Sequence, residues 1–211
     1  MERRQVELRN KIREFIDKEV EPVATRLEKI DDRAQWGPEI IRLPLPVMDL
    51  SVELAPREAD FESGYVTMVN PCAIKGISIF LELARRFLEI QFAAVPTWGT
   101  TPGDLEALDA HANIRILKPA EDINAILGPS RVLLMPSLWD EAFGRTVVEA
   151  MLQGVPVLAS NVGGLAEAKQ GVDYLLPVRP IVSYRPTYDE YHLPIPNVPG
   201  QDCGPWAMAL R

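Results

Sequence analysis

The sequence predicts an α/β fold, a doubly wound parallel sheet preceded by an N-terminal amphipathic helix. Three observations carry this. From Gly64 onward, short runs rich in Val, Ile and Leu alternate with helix-patterned stretches, and such alternation means βαβ units with right-handed crossovers. The strand candidates are almost continuously apolar, as strands buried on both faces must be. Before residue 36, by contrast, apolar residues recur at spacings of mostly three and four, the period of a helix.

The elements follow in order. Val6, Leu8, Ile12, Phe15, Ile16, Val20, Val23, Leu27 and Ile30 form one apolar stripe over residues 3–35, with charged residues on the other face. Pro22 lacks an N–H and kinks that helix, and Gly37-Pro38 ends it, so a helical segment is expected over 1–40. Residues 41–63, with Pro44, Pro46 and Pro56, read as a connector. A Rossmann-like domain is expected over 64–178. Its strand candidates are 65–69, 92–96, 114–117, 132–136, 155–159 and 174–176, and its helix candidates lie near 75–88, 103–111, 121–127, 144–153 and 164–170. From residue 177 onward seven prolines and three tyrosines occur with little periodicity. Residues 179–211 are therefore expected as an extended, Pro-rich tail wrapped over the surface. A helix starts at Pro205-Trp206, and the chain is expected to be truncated within it.

The 211 residues suffice for one domain or one and a half. A chain of this size buries roughly 70% of its unfolded surface and needs no disulfide or metal staple. Thirty acidic against 22 basic side chains leave a net charge of −8, which argues against nucleic acid or an anionic membrane as partner. No apolar run reaches about 18 residues and the N-terminus has no apolar signal core, so a cytoplasmic protein without a transmembrane segment is expected. Cys72 and Cys203 form no metal-ligand spacing, and with His111 and His192 as the two histidines no metal site is expected.

In doubly wound sheets ligands bind beyond the carboxyl ends of the strands. After the fourth strand run comes Pro136-Ser137, then Glu141-Ala142-Phe143-Gly144-Arg145 opening a helix that carries Glu149. Gly144 permits close backbone approach, and a helix N-terminus suits a phosphate or sugar oxygen. Two carboxylates near one pocket can accept from vicinal hydroxyls; equally, Glu149 can decorate a solvated helix face. After the first run, Asn70-Pro71-Cys72-Ala73-Ile74-Lys75-Gly76 leads into a helix. Lys75 at a helix start opposes the dipole unless an anion such as a diphosphate neutralises it; read alone it is also an ordinary exposed lysine. Gly163-Gly164 offers a further amide-rich helix start. The stretch 97–102 flanks a base or phosphates on one reading and is a plain surface loop on another.

Together these residues resemble the C-terminal, nucleotide-sugar-binding domain of group 1 (family 4) GT-B glycosyltransferases. The likeness covers about residues 64–178. It rests on Pro136-Ser137, Glu141-x-Phe143-Gly144, Glu149-Ala150-Met151, Gly154-Val155-Pro156-Val157, Val162-Gly163-Gly164-x-x-Glu167 and Leu175-Leu176-Pro177-Val178. It implies one half of a GT-B fold and a retaining, metal-independent transfer of sugar from a nucleoside-diphosphate donor of the UDP or GDP type, with no cofactor. It further implies that Glu141 contacts the transferred sugar near the reacting carbon, Phe143 and Gly144 offer backbone N–H groups, Glu149 holds the ribose, and Lys75 neutralises the diphosphate. Glu141 and Lys75 are thus the expected catalytic residues. Glu149, Phe143, Gly144, Arg145, Asn70, Gly163 and Gly164 are the expected substrate-binding ones.

The sequence departs from that family in one place. Val69-Asn70 stands where the family has Gly-Arg, which removes the arginine that partners the lysine; Arg145 is the expected partial substitute. A complete enzyme of this kind has a second Rossmann-like domain, and the residues before Gly64 are too few to form it. The chain is therefore expected to be the donor-binding half, with an unknown acceptor and a separate N-terminal-domain subunit as candidate partners. The alternative is a non-catalytic binding or interaction module left from a truncated or fused enzyme. A weaker likeness, confined to residues 3–40, is to the opening helices of acyl-CoA dehydrogenases.

Overall fold

The computed structural model describes residues 63–189 and 194–211. The helix expected over 3–35, its acyl-CoA dehydrogenase likeness, and the connector up to residue 62 lie outside them.

Strand β1 (Tyr65–Val69) opens the sheet. A single 3-10 turn, Ala73–Lys75, then leads into helix α1 (Ile77–Arg86). Helix α1 buries Ile77, Ile79, Phe80, Leu83 and Ala84, one face at helical spacing, and ends on Arg85 and Arg86, which favour the negative end of its dipole. Strand β2 (Phe92–Val95) is buried throughout, and Phe92 meets Phe80 edge-to-face at 5.5 Å. Helix α2 (Pro102–Asp109) starts with a reciprocal Thr101–Asp104 capping box and Pro102 in its first turn. Strand β3 (Ile114–Ile116) follows the buried Asn113. The Asn113 amide donates to the carbonyls of Ala84, Phe87 and Ile90 at 2.9, 3.0 and 3.2 Å, closing the end of α1.

Helix α3 (Asn124–Leu127) and strand β4 (Ser130–Met135) come next, then helix α4 (Arg145–Leu152), strand β5 (Val157–Ser160), helix α5 (Leu165–Lys169) and strand β6 (Leu175–Leu176). The six strands form one parallel sheet in the order β3-β2-β1-β4-β5-β6. This is the Rossmann-like α/β architecture expected. Each expected strand run overlaps an observed strand; the largest shifts are two residues, at the fourth, which starts at Ser130 instead of residue 132, and at the fifth, which starts at Val157 instead of residue 155. There Val155 N–H still bonds to Ala150 O, and Pro156 has no N–H to give a ladder.

Two hydrophobic clusters cover the sheet. One gathers α1 around Val66, Met68, Phe92, Val132 and Leu134; the other gathers α4 and α5 around Leu133, Val157 and Ala159. Alternate residues of β4 thus face opposite clusters, which is why its run is apolar without a break.

The tail holds more structure than an extended wrap. Strands β7 (Tyr184–Tyr188) and β8 (Pro194–Pro196) pair antiparallel, and helix α6 (Gly204–Ala209) ends in the first cluster. Trp206 is fully buried there and its Nε1 donates to Pro177 O at 3.2 Å. Among the described residues no helix is long and apolar enough to cross a membrane.

Candidate functional site

In the observed strand order β1 and β4 are neighbours whose connections leave in opposite directions. Their carboxyl ends therefore border the crevice where such sheets bind ligands. Two contacts tie the loops at this point. A Cβ on Gly76, whose φ is 81°, would lie 2.0 Å from Pro136 O, so only glycine permits this approach. Leu138 N–H also donates to Ile74 O at 2.9 Å.

The result is that Lys75 and Glu141, 66 residues apart in sequence, meet directly. Lys75 Nζ lies 2.5 Å from Glu141 Oε1, with the side chains only 13% and 9% exposed. Ser137 Oγ donates to the same oxygen at 2.5 Å. Ser137 is itself held by its carbonyl, which accepts from Ser160 Oγ at 2.7 Å. The carboxylate's second oxygen takes no hydrogen bond among the described residues. The Lys75 ammonium also sits 5.0 Å from the centre of the Trp139 ring, within cation–π range. The charge that opposes the helix dipole at Lys75 is thus already balanced, by Glu141.

Glu149 is buried within α4 and is not part of a solvated face. Its Oε1 lies 3.3 Å from Nε of Arg145, one turn earlier and largely exposed. Arg145, the expected substitute for the missing arginine, is therefore engaged with the second acid. Gly144 caps α4 with no side-chain acceptor for its first N–H groups. Phe143 is half-buried against the second cluster.

Gly163 and Gly164 lie beneath the Glu141 loop. Added Cβ atoms would come within 2.5 Å of Glu141 N and O and 2.6 Å of Ala142 O. Gly164 N–H donates to Glu141 O at 2.7 Å. That amide, expected as a ligand donor, is occupied in holding the loop. Asn70 adopts φ 58°, a left-handed conformation that asparagine tolerates better than most residues. Its Oδ1 accepts from Gly99 N–H at 3.0 Å, while its buried Nδ2 has no partner among the described residues. Beside it Cys72 is buried, and burial pushes its thiol above the ordinary range, which keeps it from acting as a thiolate.

The structure thus joins Lys75 to Glu141, Glu149 to Arg145, Gly163-Gly164 to the Glu141 backbone, and Asn70 to the 97–100 turn. Sequence reasoning gave no role at the site to Trp139, or to Ser137 beyond its place in the Pro136-Ser137 motif. The signal for Ser137 was its place at the strand end, four residues before Glu141.

The sequence model of the family described as "Glycosyl transferases group 1" matches residues 62–181. The chain belongs to the group 1 glycosyl transferases. It is 40% identical over 75 residues to a 2-deoxystreptamine glucosyltransferase of Streptomyces kanamyceticus, covering 33% of this chain and 19% of that protein. It is 32% identical over 95 residues to an uncharacterized 42.6 kDa protein in the cps region of Klebsiella pneumoniae, covering 44% and 25%. Among solved structures, a glycosyltransferase from Rickettsia africae ESF-5 aligns at 22% identity and a TM-score of 0.46, covering 56% of this chain and 34% of that one. This group 1 chain therefore matches a quarter or less of the length of those curated relatives. The family match starts at residue 62 and lends no support to the acyl-CoA dehydrogenase likeness before it.

Proposed function

We propose that residues 64–178 are the donor-binding half of a group 1 glycosyltransferase that takes a sugar from a nucleoside diphosphate. The observation that carries this is the Lys75–Glu141 contact at the β1/β4 crevice, 2.5 Å long and nearly closed to solvent. An ammonium suits a diphosphate, and an adjacent carboxylate suits sugar hydroxyls. A single donor carries both groups a few bonds apart. Glu141 has an oxygen left for a hydroxyl after Lys75 and Ser137 bond to the other, and charge-assisted bonds of that kind contribute about 1.5–3 kcal/mol each.

In this reading Lys75 and the N-terminus of α4, with Gly144 and Arg145, stabilise the charge that grows on the departing diphosphate. The bond between the anomeric carbon and the diphosphate oxygen breaks, the acceptor's hydroxyl oxygen takes its place, and the hydroxyl proton passes to the departing diphosphate. Glu149 holds the ribose, which requires Arg145 to share or release it. Asn70 contributes through its Nδ2, and Phe143 through its backbone. Gly163 and Gly164 act by fixing the loop that presents Glu141. The acceptor binds against a second Rossmann-like domain, which a separate subunit supplies. A cytoplasmic location belongs to the same proposal, as does the division into a helical 1–40, a connector, the donor domain and a tail.

The test is calorimetric titration of the chain with UDP, GDP and ADP. Saturable binding of one of them, weakened by Lys75→Ala and by Glu149→Ala, is expected; no heat with any of the three at millimolar concentration refutes the proposal. A second reading, a module that binds but does not transfer, is favoured by Asn70, which replaces a phosphate-gripping arginine and whose Oδ1 is bonded to Gly99. Donor hydrolysis or transfer by the chain without a partner would eliminate it.

A further inference from the structure

Two tryptophans line this crevice without a role so far. Trp139 follows β4 and carries the Lys75 ammonium on its ring. Trp98 stands in the turn after β2, 62% exposed, with its ring 6.3 Å from that of Trp139 and tilted 46° to it. A lone exposed apolar side chain is ordinary and decides nothing. Three observations separate Trp98 from that case.

First, it is joined to the site: one ring contact leads to Trp139, and from there one cation–π contact leads to Lys75 and Glu141. Second, its backbone is held. Gly99 N–H is latched onto Asn70 Oδ1, and the turn is closed by Thr100 N–H to Thr97 O at 3.1 Å. Asn70 adopts its left-handed conformation where it makes that latch. Third, the surroundings contain buried donors with no acceptor. Among the described residues Asn70 Nδ2 and Trp139 Nε1 both lack a partner, and Asn70 is only 4% exposed. A buried donor without an acceptor is unfavourable, and a ligand with acceptor atoms can supply one.

We propose that Trp98 is the platform on which the nucleobase of the donor stacks. The inference rests on the donor-binding reading above. A nucleotide sugar has hydroxyl-bearing rings, a diphosphate and a flat aromatic base. The carboxylates match the hydroxyls and Lys75 matches the diphosphate. An exposed, backbone-anchored indole matches the base, whose polar edge can meet the unpartnered Asn70 and Trp139 donors. Stacking reads the face of a base and not its identity, so Trp98 sets affinity more than the choice among bases.

The experiment compares the full chain with Trp98→Ala and Trp98→Phe. The probes are whichever of UDP, GDP and ADP the parent binds best, and inorganic pyrophosphate, which lacks the base. Binding is read by calorimetry and by tryptophan fluorescence, with urea midpoints as the folding control. Trp98→Ala is expected to weaken the nucleotide by about tenfold or more, the range for loss of one base–aromatic stack. Pyrophosphate binding stays unchanged, and Trp98→Phe recovers most of the nucleotide affinity. If the parent binds the nucleotide and Trp98→Ala binds it equally well, the inference is overturned while the donor reading stands. Parallel loss of nucleotide and pyrophosphate also overturns it, because that pattern marks a general disturbance of the loop. If the parent binds no nucleotide, the donor reading itself fails and takes this inference with it.

Discussion

Replacing Lys75 by Met removes one member of a nearly buried pair and leaves the Glu141 carboxyl group with Ser137 but without its cation. At 2.5 Å and an effective dielectric near 20, the gross attraction is about 6–7 kcal/mol. Most of it is offset by the desolvation of two ions, so the pair as a whole contributes little net stability. Removing one partner is different: it typically costs about 3–5 kcal/mol, because the other charge stays buried. Here both side chains keep some solvent contact and Glu141 retains the Ser137 hydroxyl. We therefore expect the lower side, about 2–3 kcal/mol for Lys75→Met. Adding Glu141→Gln removes the orphaned charge, so the double variant recovers about 2 kcal/mol relative to Lys75→Met alone. The assay is urea unfolding at neutral pH. With a slope of about 2 kcal/mol per molar, Lys75→Met moves the midpoint down by about 1 M. Little of the coupling is screened at high salt, since the pair is shielded from solvent. A loss below about 0.5 kcal/mol, the level of an exposed ion pair, refutes the reasoning.

Three further outcomes are expected. Asn113→Ala withdraws a donor from the carbonyls of Ala84, Phe87 and Ile90 at once. It is expected to lower unfolding stability by about 2–4 kcal/mol, and an unchanged urea midpoint would contradict the capping role. Gly163→Ala puts a methyl group 2.5 Å from the Glu141 backbone at φ 49°. It should destabilise by about 2–4 kcal/mol and weaken nucleotide binding more than a distant variant of equal stability does. Lys169 is buried with its Nζ 2.8 Å from Val157 O, and desolvation holds its pKa below the usual 10.5. The folded state therefore releases this proton before the unfolded state does, and stability rises as pH climbs from the folded pKa toward about 10.5. In Lys169→Met that rise is absent; an identical pH profile of thermal unfolding in parent and variant would sink the assignment.

The sheet was legible because its inner strands β1, β2, β4 and β5 are largely buried on both faces, so each appears as an apolar run bounded by helical patterning. The start of β5 was not, since Val155 looks like strand by composition and only the proline after it moves the ladder. The β7–β8 hairpin was invisible: every residue of β7 is exposed, so no burial imposes a two-residue period, and prolines mask the remainder. The site was legible as a place, because strand ends can be read from the beat of the chain. Its contacts were not. Lys75 suggested an absent anion, while in the fold a carboxylate 66 positions away supplies the charge. Gly163-Gly164 suggested free amides, whereas close packing against the Glu141 loop is what demands glycine there. Such pairings depend on which loops the crossovers bring together, and local spacing does not encode them.

Trp206 fills the first cluster yet follows every strand of the parallel sheet in chain order. During synthesis the strands and α1 emerge from the ribosome before the indole that completes their packing. The cluster that holds Val66, Phe80 and Leu134 is therefore incomplete until α6 arrives. A nascent chain stalled before α6 would be a natural client for chaperones, and removal of that helix should yield an aggregating protein, not a smaller domain.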